Sequence, residues 1–111
     1  MNHQRFHAYD AALAMVAALR PALAQLAKGD RALVDQLRRA ASSVALNLAE
    51  GKRRTGQDRM QFFRIAAGSA AEVRATLEVA LAWGYLDAAP LAAAEVDRVL
   101  AMLWRLTHRR E

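Results

Sequence analysis

The 111-residue sequence contains no cysteine, only two prolines and five glycines, and only 6% of its residues are aromatic. The absence of cysteine excludes disulfide bonds, thiolate metal sites and cysteine nucleophiles. Valine, isoleucine and threonine are sparse, whereas alanine and leucine supply most of the 55% apolar content. This composition favours helices over strands.

The sequence also lacks long apolar runs and a recognisable targeting segment. No run approaches the roughly 20 residues that a helix needs to cross a bilayer. The first residues, "MNHQRFHAYDAAL", do not have the charged-then-apolar order of a signal peptide, and Asp10 interrupts them. We therefore expect a single-domain cytoplasmic protein that does not insert into a membrane.

Positive charge is concentrated in one quarter of the chain. The net charge is +5, and residues 38–64 hold seven cations and only two anions, whereas the rest of the chain has nine of each. The seven cations are Arg38, Arg39, Lys52, Arg53, Arg54, Arg59 and Arg64. Arginine suits bidentate phosphate contact, although a chain rich in alanine and arginine equally fits a GC-rich genome.

Three short breaks, at 28–31, 51–58 and 84–90, divide the chain into predicted helices over 5–28, 31–50, 56–84 and 90–109. Each break has a glycine that can end one helix and a residue that can begin the next: Gly29 and Asp30, Gly51 and Thr55, Gly84 and Pro90. Thr55 and Asp58 have the spacing of a capping box. Short connections make neighbouring helices antiparallel, so the sequence predicts an all-α, up-and-down four-helix bundle.

Apolar residues three and four positions apart predict the core face of each helix. These faces are Phe6, Tyr9, Leu13, Val16, Leu19, Leu23 and Leu26 in the first helix; Val34, Leu37, Ala41, Val44 and Leu48 in the second; Phe62, Phe63, Ala66, Ala70, Val73, Leu77 and Leu81 in the third; and Val96, Val99, Leu100, Leu103 and Leu106 in the fourth. Pro21 lies inside the first helix and is expected to bend or divide it.

The third helix has a second row of small and apolar residues: Ile65, Gly68, Ser69, Glu72, Thr76, Val79 and Trp83. A helix that is apolar on two sides is usually covered on both. The second cover is either another subunit or the rest of a bundle in which this helix is central. Trp83 and Trp104 favour a subunit interface, since tryptophan is enriched at interfaces.

A polar stripe on the second helix also favours a second buried contact. Arg39, Ser43, Asn47 and Glu50 lie within about 80° of arc, nearly opposite the predicted core face. A solvated face is the ordinary interpretation, but serine and asparagine are poor helix-interior residues and Leu46 lies among them. A second buried contact explains both features.

The sequence Lys52-Arg53-Arg54 follows the end of the second helix, and two interpretations are open. Cations at a helix C-terminus complement the helix dipole, and Glu50 and Arg54 have favourable i,i+4 spacing. One cation would suffice for that role, so the cluster also predicts phosphate contacts to nucleic acid, with Arg38, Arg39, Arg59 and Arg64 contributing. No aromatic residue lies within Lys52-Arg53-Arg54 itself, so base readout is not predicted.

Signals for catalysis are weak. His3 and His7 have i,i+4 spacing without the glutamate of a zincin motif, and the sequence has no Glu-x-x-His pair. Ser42 and Ser43 have no nearby histidine. We therefore predict neither an enzyme nor a metal or cofactor site.

Residues 33–86 contain the patterns N-x-A-E-G at 47–51 and A-x-G-S-x-x-E at 66–72. With these patterns the segment resembles a bacterial family of small four-helix bundle proteins encoded by open reading frames in intervening sequences of large-subunit rRNA. The family is related to the accessory variability (Avd) proteins of diversity-generating retroelements. The resemblance lies in N-x-A-E-G and A-x-G-S-x-x-E patterns and their surroundings: Gln36, Leu37, Arg39, Ala40, Ser43, Asn47, Ala49, Glu50, Gly51, Phe62, Ala66, Gly68, Ser69, Glu72, Gly84, Tyr85 and Leu86.

The resemblance implies a homopentamer around a central channel, and in the retroelement branch a basic assembly that associates with a reverse transcriptase and with RNA or DNA. We expect a non-enzymatic oligomeric accessory protein that binds nucleic acid; the alternative is a scaffold that binds a protein partner. The residues predicted at the oligomer interface or in structural polar contacts are Ser43, Leu46, Asn47, Glu50, Gly51, Ile65, Gly68, Ser69, Glu72, Thr76 and Trp83.

Overall fold

The computed structural model describes residues 6–87 and 92–108, and these ranges contain helices and no strand. The helices are α1 (His7–Ala18), α2 (Arg20–Leu26), α3 (Arg31–Lys52), α4 (Gly56–Trp83) and α5 (Ala92–Thr107). They form the predicted antiparallel four-helix bundle, in which α1 and α2 are two parts of its first helix. Within the described ranges, no helix has the length and apolar character that a membrane span requires.

Pro21 divides the first helix, as predicted. The proline lies in the first turn of α2, where the amide hydrogen that it lacks is not needed. Leu19 forms the junction: its amide donates to the carbonyl of Met15, and its own carbonyl accepts from Leu23. Both parts therefore remain hydrogen-bonded to Leu19 while the chain accommodates the proline.

Two of the predicted helix ends are confirmed. The Asp30 side chain accepts a hydrogen bond from the Leu33 amide at 3.1 Å and so caps α3. Gly84 ends α4 in the left-handed conformation, with a φ of 83°, which a residue without a Cβ adopts at little cost. Pro90, the predicted start of the last helix, lies outside the described residues.

Two predictions about the connection between α3 and α4 are wrong. Gly51 does not end α3, which continues to Lys52. Thr55 has the backbone conformation of an N-cap, but its side chain makes no capping hydrogen bond. The predicted capping box with Asp58 is therefore wrong; the Asp58 carboxylate accepts from Arg54 at 2.7 Å instead.

The core forms largely where the periodicity predicts. In α3, Leu37, Ala41, Val44 and Leu48 are buried and Val34 is half-buried. The predicted core position of Leu13 is wrong, since 45% of that residue is exposed. The first helix instead packs a face of mostly small residues against the bundle. The buried residues of this face are Ala8, Ala11, Ala12 and Met15. Alanine occurs both in cores and on surfaces, so periodicity gives it little weight. The larger Leu13 therefore leads to a wrong prediction of which side of the first helix is buried.

Gly51 makes room for an aromatic ring between α3 and α4. A Cβ on Gly51 would lie 2.7 Å from the Phe63 ring, which itself packs 5.8 Å from the Phe6 ring between centroids. Close approach of the two helices at this end of the bundle therefore requires glycine.

We expect Gly51→Ala to lower the free energy of unfolding by about 1–3 kcal/mol, because overpacking outweighs the gain in helix propensity. Urea unfolding measures the change. In a Phe63→Leu background the same substitution should cost less, since the obstructing ring is gone. Equal costs in both backgrounds would contradict the proposed steric role of Gly51.

Candidate functional site

A row of polar contacts joins α3 to α4. The hydroxyls of Ser43 and Ser69 are 2.8 Å apart, and Asn47 Nδ2 donates to the Ser43 carbonyl at 2.9 Å and to its hydroxyl at 3.0 Å. About two turns closer to the start of α3, Gln36 Nε2 donates to Glu72 at 3.3 Å. The serine and asparagine of the polar stripe are thus hydrogen-bonded within one chain, without a second subunit.

Large apolar side chains are exposed on the same two helices. They are Leu46 (68% exposed), Ile65 (42%), Val79 (44%) and Trp83 (69%). Gly68 is also exposed, and a Cβ added there would meet no other atom within 4 Å. We name these five residues the apolar face; the part of the chain that the structure describes leaves it open to solvent.

Two of the residues predicted at the oligomer interface or in structural polar contacts lie inside the chain. Thr76 is 3% exposed, and its hydroxyl donates to the Glu72 carbonyl at 2.8 Å. Gly51 is buried against Phe63. Neither residue is available to a second subunit in this structure, so both act as internal contacts.

Arg54 forms ion pairs across the turn between α3 and α4. Its guanidinium donates to Glu50 at 2.9 Å and to Asp58 at 2.7 Å, and it lies 5.0 Å from the centre of the Phe62 ring. These hydrogen bonds, to Asp58 first and then to Glu50, raise the pKa of Arg54 above its ordinary value. The favourable pairing of Glu50 with Arg54 is therefore confirmed.

Arg59 caps the end of α3 from the first turn of α4. Its guanidinium donates to the Gly51 carbonyl at 3.1 Å and to the Lys52 carbonyl at 2.8 Å. Such carbonyls have no partner within their own helix, and a cation there also complements the helix dipole. Two of the seven predicted phosphate-binding cations, Arg54 and Arg59, thus have structural contacts in this turn.

We expect Arg59→Gln to lower the free energy of unfolding by about 1 kcal/mol, because two helix-terminal carbonyls lose their donor. Arg53→Gln is the matched control, since the Arg53 side chain is 75% exposed and comes no closer than 3.6 Å to Glu50. Thermal unfolding compares the two. A larger loss for the Arg53 variant would contradict the capping role of Arg59.

The other arginines among the predicted phosphate-binding cations have few or no contacts with the described residues. Arg38, Arg39 and Arg64 are exposed, and their side chains have no hydrogen bond or ion pair with any residue that the structure describes. Arg38, Arg39 and Arg53 lie within about 100° of arc around the α3 axis. Arg38 and Arg39 border an open groove of about 530 Å³, together with Ser42, Leu46 and Asn47. We call Arg38, Arg39, Arg53 and Arg64 the available arginines.

Phe6 and Trp104, from opposite ends of the sequence, border one groove near the turn between α3 and α4. In the antiparallel bundle α1 begins, α3 ends and α5 ends at the same end. The Lys52 ammonium lies 5.6 Å from the centre of the Phe6 ring, and Phe6 borders an apolar groove of about 590 Å³ between α1 and α5. Trp104, 61% exposed, borders the same groove and stacks on His108 with centroids 4.3 Å apart.

Sequence reasoning misses this groove because it looks for aromatic residues only next to the cations in the chain. The i,i+4 spacing of Trp104 and His108 and the antiparallel order of the helices are the signals that identify it. His7 also borders the groove, whereas His3 lies outside the described residues. Among the residues that the structure describes, no group of three histidines or carboxylates could hold a metal ion.

Comparison with known proteins gives one informative result. The family model of the 23S rRNA-intervening sequence protein matches residues 4–105. Neither the curated proteins nor the solved structures give a match. Because the family match spans nearly the whole bundle, the chain belongs to the family of 23S rRNA-intervening sequence proteins.

Proposed function

We propose that the protein is a non-enzymatic, homo-oligomeric accessory protein that binds nucleic acid through phosphate contacts. The observation that carries this proposal is the set of available arginines. Three of them have no partner among the described residues, and the fourth, Arg53, has only a long and exposed contact with Glu50. Guanidinium groups exposed in this way can each contact a phosphate without breaking an internal hydrogen bond.

Phosphate contacts of this kind confer affinity without sequence preference. They release condensed counterions from the nucleic acid, so the affinity falls steeply with salt. RNA and DNA both present a regular phosphate backbone, and both are candidate ligands. An oligomer would present several copies of the available arginines, so weak contacts would add through avidity.

The apolar face supports the oligomeric part of the proposal. Leu46 and Trp83 are each more than two-thirds exposed. Contiguous exposed apolar surface marks interaction sites, and tryptophan is enriched at interfaces. The space around Gly68 would allow another helix to approach closely. We propose a ring of five subunits, the size that the resemblance to the retroelement accessory proteins implies.

A scaffold that binds a protein partner is the second candidate. The contacts of Arg54 and Arg59 favour this alternative, because two of the seven predicted phosphate-binding cations stabilise the turn between α3 and α4 instead. A reverse transcriptase is one protein partner that the same resemblance implies. On this alternative the available arginines would pair with carboxylates of the partner.

Fluorescence anisotropy with labelled RNA and DNA of several unrelated sequences tests the proposed function. At low salt the protein should bind all of them with similar affinity. The scaffold becomes the better explanation if no sequence is bound.

A further inference from the structure

We infer that the apolar groove between α1 and α5 binds an unpaired base, stacked on Trp104, and that the protein therefore prefers single-stranded nucleic acid to duplex. This inference rests on the proposed function and adds the type of nucleic acid that is bound. Its structural basis is the juxtaposition of Trp104, Phe6 and Lys52 at one end of the bundle.

The lining of the groove suits a nucleobase. Phe6, Met102 and Leu106 contribute apolar surface, and Trp104 and His108 contribute two parallel rings with an angle of 8° between their planes. Trp104 remains 61% exposed despite the contact with His108, so much of the indole can still receive a ligand. Stacking of a base on an aromatic side chain tolerates any base, because every base has a π face.

The charges around the groove suit a phosphate backbone. Arg105 borders the groove, Lys52 lies over the Phe6 ring, and none of the described lining residues is acidic. An occupant with a flat aromatic body and an attached anion matches both features, and a nucleotide has this chemistry. In a duplex the bases are already stacked on one another, so only an unpaired base can reach Trp104.

Two other grooves among the residues that the structure describes lack this combination. The groove beside Arg38 and Arg39 includes Asp35 and contains no aromatic ring. A smaller groove between α4 and α5 is bordered by Glu78 and Asp97, which would repel a phosphate. Trp83, the other exposed tryptophan, belongs to the apolar face and stacks near Tyr85 at the opposite end of the bundle.

Substitutions at Trp104 test the inference. Trp104→Ala should weaken binding of a single-stranded oligonucleotide about 10-fold or more and leave binding of a duplex of the same sequence nearly unchanged. The slope of log K against log salt should stay the same, because stacking releases no counterions. Trp104→Phe should restore most of the affinity, whereas Trp104→Leu, which is apolar without a ring, should not.

A spectroscopic measurement gives an independent readout. In a Trp83→Phe variant, whose mass is first shown by light scattering to equal that of the parent, Trp104 is the sole tryptophan. Single strands but not duplexes should quench its fluorescence. Light scattering should give Trp104→Ala the same mass as the parent protein.

The outcomes separate this inference from the function on which it rests. If the parent binds neither form of nucleic acid, the proposed function fails and the inference fails with it. If the parent binds both forms and Trp104→Ala binds single strands as tightly, the inference alone is overturned. A changed mass for Trp104→Ala would also overturn it, because Trp104 would then be a subunit contact.

Discussion

Replacing all four available arginines with glutamine is expected to remove most of the affinity for nucleic acid and to leave the bundle folded. Removing each phosphate-binding charge should reduce the slope of log K against log salt by about 0.9 on duplex DNA. Removing all four charges from one subunit would then weaken binding on the order of a thousandfold at about 0.1 M salt. Stability should change little, because three of the four side chains have no partner among the described residues.

Glutamine at both Arg54 and Arg59 is the matched control for this variant. It removes two positive charges beside the turn between α3 and α4, but these charges already contact Glu50, Asp58 and backbone carbonyls. Its main effect should therefore be a lower melting temperature, with a smaller change in affinity. If this control loses affinity and the fourfold variant does not, the phosphate contacts lie in the turn and the assignment to the available arginines is wrong.

Gly68→Glu is expected to dissociate the oligomer while the circular dichroism of the helices persists. A side chain at Gly68 meets nothing among the described residues of its own chain, so the substitution should barely affect the fold of one subunit. In a packed subunit interface the same carboxylate would be buried without a partner, which costs several kcal/mol. Light scattering at micromolar concentration measures the mass of parent and variant.

Ala94→Glu adds the same charge to an exposed position on α5 and should leave the mass unchanged. A parent protein that is monomeric at micromolar concentration would remove the basis for an interface on the apolar face. An unchanged mass for Gly68→Glu would place the interface elsewhere.

The fold follows from the sequence where side chains of clear character occupy regular positions. In α3, aliphatic residues at three- and four-residue spacing predict a core face that the structure buries, from Leu37 to Leu48. Asp30 and Gly84 mark helix ends because an acceptor side chain and a left-handed backbone conformation are local requirements. Such features do not depend on the remainder of the chain.

Prediction fails where a residue has two ordinary roles and a distant contact decides between them. Gly51 is consistent with a helix end, but the Phe63 ring from the next helix makes it a point of close approach. Asp58 is equally suited to a capping box, but its carboxylate pairs with Arg54 instead.

The candidate site shows the same limit. Sequence identifies the cluster of seven cations but cannot show that Arg59 reaches back to the carbonyls of α3, because that contact depends on the turn's conformation. Nor can local spacing join Phe6, Lys52 and Trp104, which are separated by most of the chain and brought together by the antiparallel order of the helices.

The most direct measurement is a titration of nucleic-acid binding by the unaltered protein against salt concentration. Phosphate contact through the available arginines predicts measurable affinity at low salt for RNA and DNA of unrelated sequence. It also predicts a linear fall of log K with log salt, with a slope on duplex DNA of about −3.6 or steeper when four arginines contact phosphate. No detectable affinity at low salt, or an affinity that does not change with salt, would contradict the proposed function.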